Sequence, residues 1–168
     1  PAFLRVNIRK TTIEKAQTIL SGDGIQTVKH PSIITALRVT EGQNKIKNCM
    51  AYKDGFVEIQ DASSQASVID LPRDSNLKIL DYCCGSGGKS LALDAWTKGK
   101  IFAYDISPDR SFNLKTRAER SNAQITKISK PIKEMFDVIF CDVPCSGSGS
   151  WRRDPDGKWK LDAHRWQN

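Results

Sequence analysis

The chain has 168 residues, enough for one sizeable core or for a small module in front of a catalytic domain. A formal net charge of +7 and a pI near 9.3 favour a polyanionic partner, because lysines and arginines that neutralise phosphates release counterions. No apolar stretch approaches membrane-spanning length, so a cytoplasmic location without a membrane partner is expected.

Residues 1–70 are expected to form a small α+β module and linker. Phe3 to Asn7 reads as a short strand, and Thr11 or Thr12 can cap a helix containing Ile13, Ala16, Ile19 and Leu20 that Gly22 and Gly24 end. Residues 33–39 and 56–59 read as further strands, and residues 61–71 as a helix leading into the second half. Arg5, Arg9, Lys10, Lys45, Lys47 and Lys53, taken singly, read as a solvated face.

Residues 71–168 carry a different pattern. Leu77-Lys78-Ile79-Leu80-Asp81 is a strand running into a glycine-rich turn, Cys83-Cys84-Gly85-Ser86-Gly87-Gly88-Lys89, and Ser90 to Trp96 then read as a helix. Glycines let the backbone approach a ligand, and the helix N-terminus offers free N–H groups to an anionic group. The spacing matches neither the dinucleotide nor the triphosphate fingerprint. Lys100 to Asp105 forms a second strand ending in an acid, about twenty residues past the loop, where a βαβ unit puts a carboxylate on ribose hydroxyls. Asp105 can equally cap the next helix, with Pro108 at an early helical position.

A third strand is expected at residues 125–129 and a fourth at residues 136–141. The fourth is mainly apolar and stops at Asp142; Pro144 cannot continue a central ladder, and Cys145 enters a second glycine-rich turn. Ligands in open α/β sheets bind beyond the carboxyl ends of the strands, so Asp142 and Cys145 mark a site. Cys141, alternating with Asp142, is expected to face the core. Residues 151–160 then interleave cations with aromatics, and Arg152 and Arg153 read as phosphate ligands beside that turn. Trp159 and Trp166 read as anchors for the final helix. Cys49, Cys83, Cys84, Cys141 and Cys145 lack paired C-x-x-C spacing, and His30 and His164 stand apart, so no metal site or disulfide framework is expected.

These blocks resemble the Nol/Nop/Sun (Sun/Fmu-type) group of S-adenosylmethionine-dependent RNA cytosine-5 methyltransferases, most of all its bacterial ribosomal RNA members. The resemblance rests on Leu4 to Asn7, Gly55 to Gln65, Asp81 to Lys89, Asp105 to Arg110 and residues 142–156. It implies a Rossmann-like class I methyltransferase sheet at 71–168, preceded at 1–70 by an α+β RNA-binding module. It implies S-adenosylmethionine held by Cys83, Cys84, Gly85, Ser86, Gly87, Gly88, Lys89, Asp105, Arg110 and Asp142. RNA, ribosomal rather than transfer, would contact Arg5, Arg152, Arg153 and Lys158, with Cys145 and Asp142 as catalytic groups. The family usually has alanine and proline where this chain has Cys84, Gly85 and Ser86, and often an adenine-contacting acid on the third strand where Ile125 to Ser129 offers none.

The implied chemistry adds a thiolate to carbon 6 of cytosine, making an enamine that takes the methyl group; the carbon-5 proton then leaves and the cysteine is eliminated. In the family the cysteine matching Cys145 is associated with product release, and the attacking one lies in a Thr-Cys motif on a later strand, absent from this sequence. An incomplete enzyme is therefore expected, lacking the last strands and silent by itself. Its fourth strand would be an exposed edge, covered by self-association or by a complementing chain. Two other readings stay open: a noncatalytic RNA-binding remnant, and a DNA or small-molecule methyltransferase in which Cys145 itself attacks.

Overall fold

The computed structural model describes residues 2–74, 76–130, 132–143 and 156. The first part is an antiparallel sheet built from β1 (Phe3–Val6), β2 (Gln26–Lys29), β3 (Ala36–Glu41) and β4 (Val57–Ile59) in the order β2-β3-β1-β4. Helix α1 (Ile13–Gly22) covers it, burying Ala16 and Leu20 against Leu4, Val6, Leu37 and Val57. Thr12 is its cap, accepting the Lys15 N–H at 3.3 Å, and the chain leaves the helix through Gly24 at φ +72°. A 3-10 turn at Gln43–Asn48 and the short α2 (Met50–Lys53) close this unit.

Two expectations need correction here. Strand β2 escaped the sequence because Gln26, Thr27 and Lys29 give no apolar period; it forms because β3 pairs with it from Gln26 to Lys29. The strand expected from residue 33 begins at Ala36. His30 Nδ1 accepts the N–H groups of Ser32 and Ile33 at 3.2 and 3.1 Å, which folds the preceding residues into a turn.

Helix α3 (Ala62–Ile69) leads to the second sheet, whose strands β5 (Lys78–Asp81), β6 (Lys100–Ala103), β7 (Ile125–Lys127) and β8 (Val138–Phe140) are all parallel, in the order β7-β6-β5-β8. Helices α4 (Gly88–Trp96) and α5 (Leu114–Ser121) make the crossovers. α4 is buried from Ser90 to Trp96 and packs Ala92, Leu93 and Trp96 on Ile79 and Ile101, joined by Val68 from α3 and Ile8 from the first unit. This is the Rossmann-like arrangement expected, entered through an antiparallel α+β unit.

The fourth strand is an edge among the described strands, with Ile139 59% exposed. Cys141 is exposed, contrary to expectation, because it lies one residue past the last paired position, Phe140, and no described element covers it. Among the described residues no helix is long and apolar enough to cross a membrane.

The two sheets meet closely. Gly55 has φ +67°, and a Cβ there would lie 2.2 Å from the Arg120 carbonyl oxygen, so only glycine lets the backbones abut. The Asn7 amide donates to both Gly55 O (3.2 Å) and Ser121 O (3.0 Å), stitching the first sheet to the end of α5.

Candidate active site

The carboxyl ends of β5, β6 and β8 converge on the glycine loop. The ladder runs one step past the strands, Tyr104 N donating to Asp81 O and Tyr82 N to Phe140 O, both at 2.9 Å. Beyond it the loop turns on Gly85 (φ +50°) and Gly87 (φ +84°), and Gly87 N closes the turn onto Cys84 O at 2.8 Å. A Cβ at Gly87 would meet Leu114 Cδ1 at 2.2 Å, whereas one at Gly85 would meet nothing within 4 Å. One side of the loop is thus pressed on α5 and the other faces open space.

Asp105 ties the second strand to this loop. One carboxylate oxygen accepts Gly85 N at 2.8 Å and the other accepts Ser107 N at 2.9 Å. Asp105 caps the turn that follows and not the next helix, since α5 has Asn113 at its N-cap; the carboxylate oxygens keep further lone pairs. The residues from Pro108 form successive turns, Ser111 N to Pro108 O and Leu114 N to Ser111 O at 3.2 Å, and α5 itself starts only at Leu114.

Asp81 is fully buried beneath the loop, Ser90 Oγ donating to its Oδ2 at 2.6 Å while Oδ1 has no partner among the described residues. Burial pushes its carboxyl up to about 6, with a smaller push from Asp142, against the pull of Ser90 and Lys89. Lys89, in the first turn of α4, reaches across to pair with Asp142 at the end of the fourth strand. Sequence reasoning passed over Asp81 as a site residue, although it ends its strand as Asp105 does.

The described thiols of the loop are not activated. Burial drives Cys84 up to about 12, helped by Asp81 and Asp105, and Cys83 is also raised, by burial and then by Asp105, Cys141, Asp81 and Asp142. Neither is a thiolate at neutral pH. Arg110 is exposed, and only its backbone N–H, onto Ser107 O at 3.2 Å, is engaged among the described residues. Cys145, Arg152, Arg153 and Lys158 lie outside the described residues.

Arg5 is corrected. It is 3% exposed, its Nε donates to Gln60 Oε1 at 2.7 Å, and burial lowers its guanidinium to about 10, so it has no surface to offer RNA. β1 is an inner strand of its sheet, which one sequence does not reveal. Two residues from outside the loop touch it unannounced: Gln60 Nε2 donates to Gly88 O at 3.2 Å, and Arg117, itself held by Glu58, donates to Ser86.

The family described as 16S rRNA methyltransferase RsmB/F matches residues 68–165, more than half of the sequence. The chain belongs to that family. Among RsmB/F relatives, ribosomal RNA small subunit methyltransferase B of Citrobacter koseri is 32% identical over 168 residues, an overlap of 95% of this chain and 39% of that protein. The chain therefore spans about two-fifths of the length of the curated relatives it matches. A crystal structure of PH0851 superposes with TM-score 0.88 at 25% identity, covering 98% of this chain and 39% of the other. NSun6 from Pyrococcus horikoshii, solved with SFG, gives TM-score 0.73 at 14% identity over 87% of this chain and 63% of its own, a likeness of fold alone. The family and fold implied by the sequence blocks are thereby borne out.

Proposed function

We propose that this chain holds the cofactor of an enzyme that methylates carbon 5 of a cytosine in 16S ribosomal RNA, with S-adenosylmethionine as donor. The family supports the reaction class. The observation that carries the cofactor reading is Asp105: a carboxylate at the end of the second strand, both oxygens fixed by backbone N–H groups, one of them from the glycine loop. Two vicinal hydroxyls of a ribose suit such an acceptor.

The residues present fit the group. Gly85 leaves the loop open on its outer side, and the buried Asp81 supplies negative charge with an unpartnered oxygen beneath it, suited to a cationic donor. S-adenosylmethionine supplies the methyl group from its sulfonium. Asp105 orients the ribose, the loop from Cys83 to Gly88 lies along the ligand, and Lys89 holds Asp142 at the mouth of the site. Asp142 is half-exposed there, placed to accept a hydrogen bond from the cytosine or to take part in proton transfer. Cys145, three residues on, acts in release of the methylated base, and Arg152, Arg153 and Lys158 bind RNA phosphates.

Calorimetric titration of S-adenosylmethionine into the chain tests the cofactor assignment. Asp105→Ala should weaken binding by about 100-fold or more, since a hydrogen bond to a charged group contributes about 1.5–3 kcal/mol and two are lost. Equal affinity in the variant would sink the reading. Labelled S-adenosylmethionine and unmodified 16S RNA then test the substrate.

A further inference from the structure

The glycine loop is gripped from outside its own sheet. Glu58 lies in β4 of the antiparallel unit and is 2% exposed, with both oxygens engaged: Arg117 Nη2 donates to Oε2 at 3.0 Å, and Arg120 Nη2 donates to Oε1. Arg117 and Arg120 stand one turn apart on α5, so they present both heads to one carboxylate. The other nitrogen of Arg117 donates twice to Ser86, at 2.8 Å to its carbonyl oxygen and at 2.9 Å to its hydroxyl. Ser86 sits between the two glycines of positive φ. Two residues beyond Glu58, Gln60 takes the Arg5 Nε–H and passes a hydrogen bond to Gly88 O.

A carboxylate buried with two guanidinium groups is weak evidence for stability, because apolar side chains of the same volume hold units together as well. What the arrangement supplies is direction. The guanidinium is planar, with its donors in a rigid fork, so once Glu58 fixes one side the other side can only aim at Ser86. Without Glu58 the Arg117 head, which is 18% exposed, is free to swing into solvent, and the Ser86 carbonyl loses its donor.

We infer that Glu58 is a positioning residue: through Arg117 it fixes the conformation of Ser86 to Gly88, and with it the affinity of the site for S-adenosylmethionine. The affinity part rests on the cofactor reading above; the conformational part does not. The first sheet, remote from the ligand, is then part of the cofactor site.

The test uses Glu58→Gln, which keeps shape and removes charge, Arg117→Met, and Arg120→Met as the control that removes the second guanidinium from Glu58 while leaving the Glu58–Arg117–Ser86 contacts in place. Native-state amide exchange on the ligand-free protein reads the Gly87 N–H. It should exchange about tenfold faster in Glu58→Gln and Arg117→Met, and at the wild-type rate in Arg120→Met. Calorimetry should show S-adenosylmethionine binding weakened about tenfold in the first two, with the double variant no weaker than Arg117→Met alone, as expected for residues acting in one chain of contacts. Circular dichroism confirms that each variant is folded. Wild-type exchange at Gly87 in folded Glu58→Gln overturns the positioning role whatever the site binds. Faster exchange with unchanged affinity overturns its link to the cofactor. A wild-type protein that does not bind S-adenosylmethionine overturns both that link and the function proposed above, while the Gly87 rate still decides the conformational role.

Discussion

Replacing Asp81 by Asn probes the buried charge beneath the loop. The carboxyl is raised from 3.8 to about 6, so between those values the folded protein retains a proton that the unfolded chain has released. Stability tied to this group is therefore present at low pH and lost as pH rises through about 6. A shift of roughly two units at 1.36 kcal/mol each amounts to about 3 kcal/mol. Asn has the same shape, still offers an oxygen to Ser90 Oγ, and does not titrate. Urea unfolding of both proteins at intervals from pH 4 to pH 8, read by circular dichroism, isolates the effect, because every other titrating group is common to both and cancels in the difference. The wild type should lose about 3 kcal/mol relative to Asp81→Asn across that window, with most of the change complete by pH 7. Parallel stability curves would refute the reasoning, since they would mean that water or a cation reaches Asp81 and keeps its charge solvated.

Gly55→Ala should destabilise by about 3 kcal/mol, through a positive φ and an overpacked contact with the Arg120 carbonyl; calorimetry should show the melting point falling by about 10 °C, and an unchanged value would show that the sheets can part without penalty. Arg5→Met should lower stability by about 1–3 kcal/mol, because Gln60 Oε1 loses its donor inside the protein, while RNA affinity in a gel-shift assay moves less than about twofold; a tenfold loss of affinity in the folded variant would restore Arg5 to the RNA surface.

The parallel sheet was legible because each of its site-bearing strands is an apolar run halted by an acid: Leu80 before Asp81, Ala103 and Tyr104 before Asp105, Phe140 and Cys141 before Asp142. Burial produces that pattern in β5, where Ile79, Leu80 and Asp81 are all buried, whereas the fourth strand keeps the apolar run although Ile139 and Cys141 are exposed. β2 was illegible for the converse reason, since its residues form a strand by pairing with β3 and all but Thr27 are exposed. Arg5 and Glu58 show another limit. Both look like surface charges beside apolar neighbours, and both are buried because β1 lies inside its sheet and because Arg117 and Arg120, some 60 residues on, close over β4. Charge reports solvent contact only when the neighbours are known, and here they come from distant sequence. The i, i+3 spacing of Arg117 and Arg120 was the available hint that one acid would serve both.

The antiparallel sheet takes all of its strands from between Phe3 and Ile59, whereas Lys78 must wait for Asp137, 59 residues later, before the edge of the parallel sheet can form. Chains grow from the N-terminus at about 5–20 residues per second, and early segments fold first. By the time the glycine loop leaves the ribosome, every strand of the first sheet is already available to pair, with Glu58 and Gln60 on its rim. Of the two, only Gln60 can meet the loop directly, at Gly88 O; the grip of Glu58 on Ser86 has to wait for Arg117, some 30 residues further along the chain.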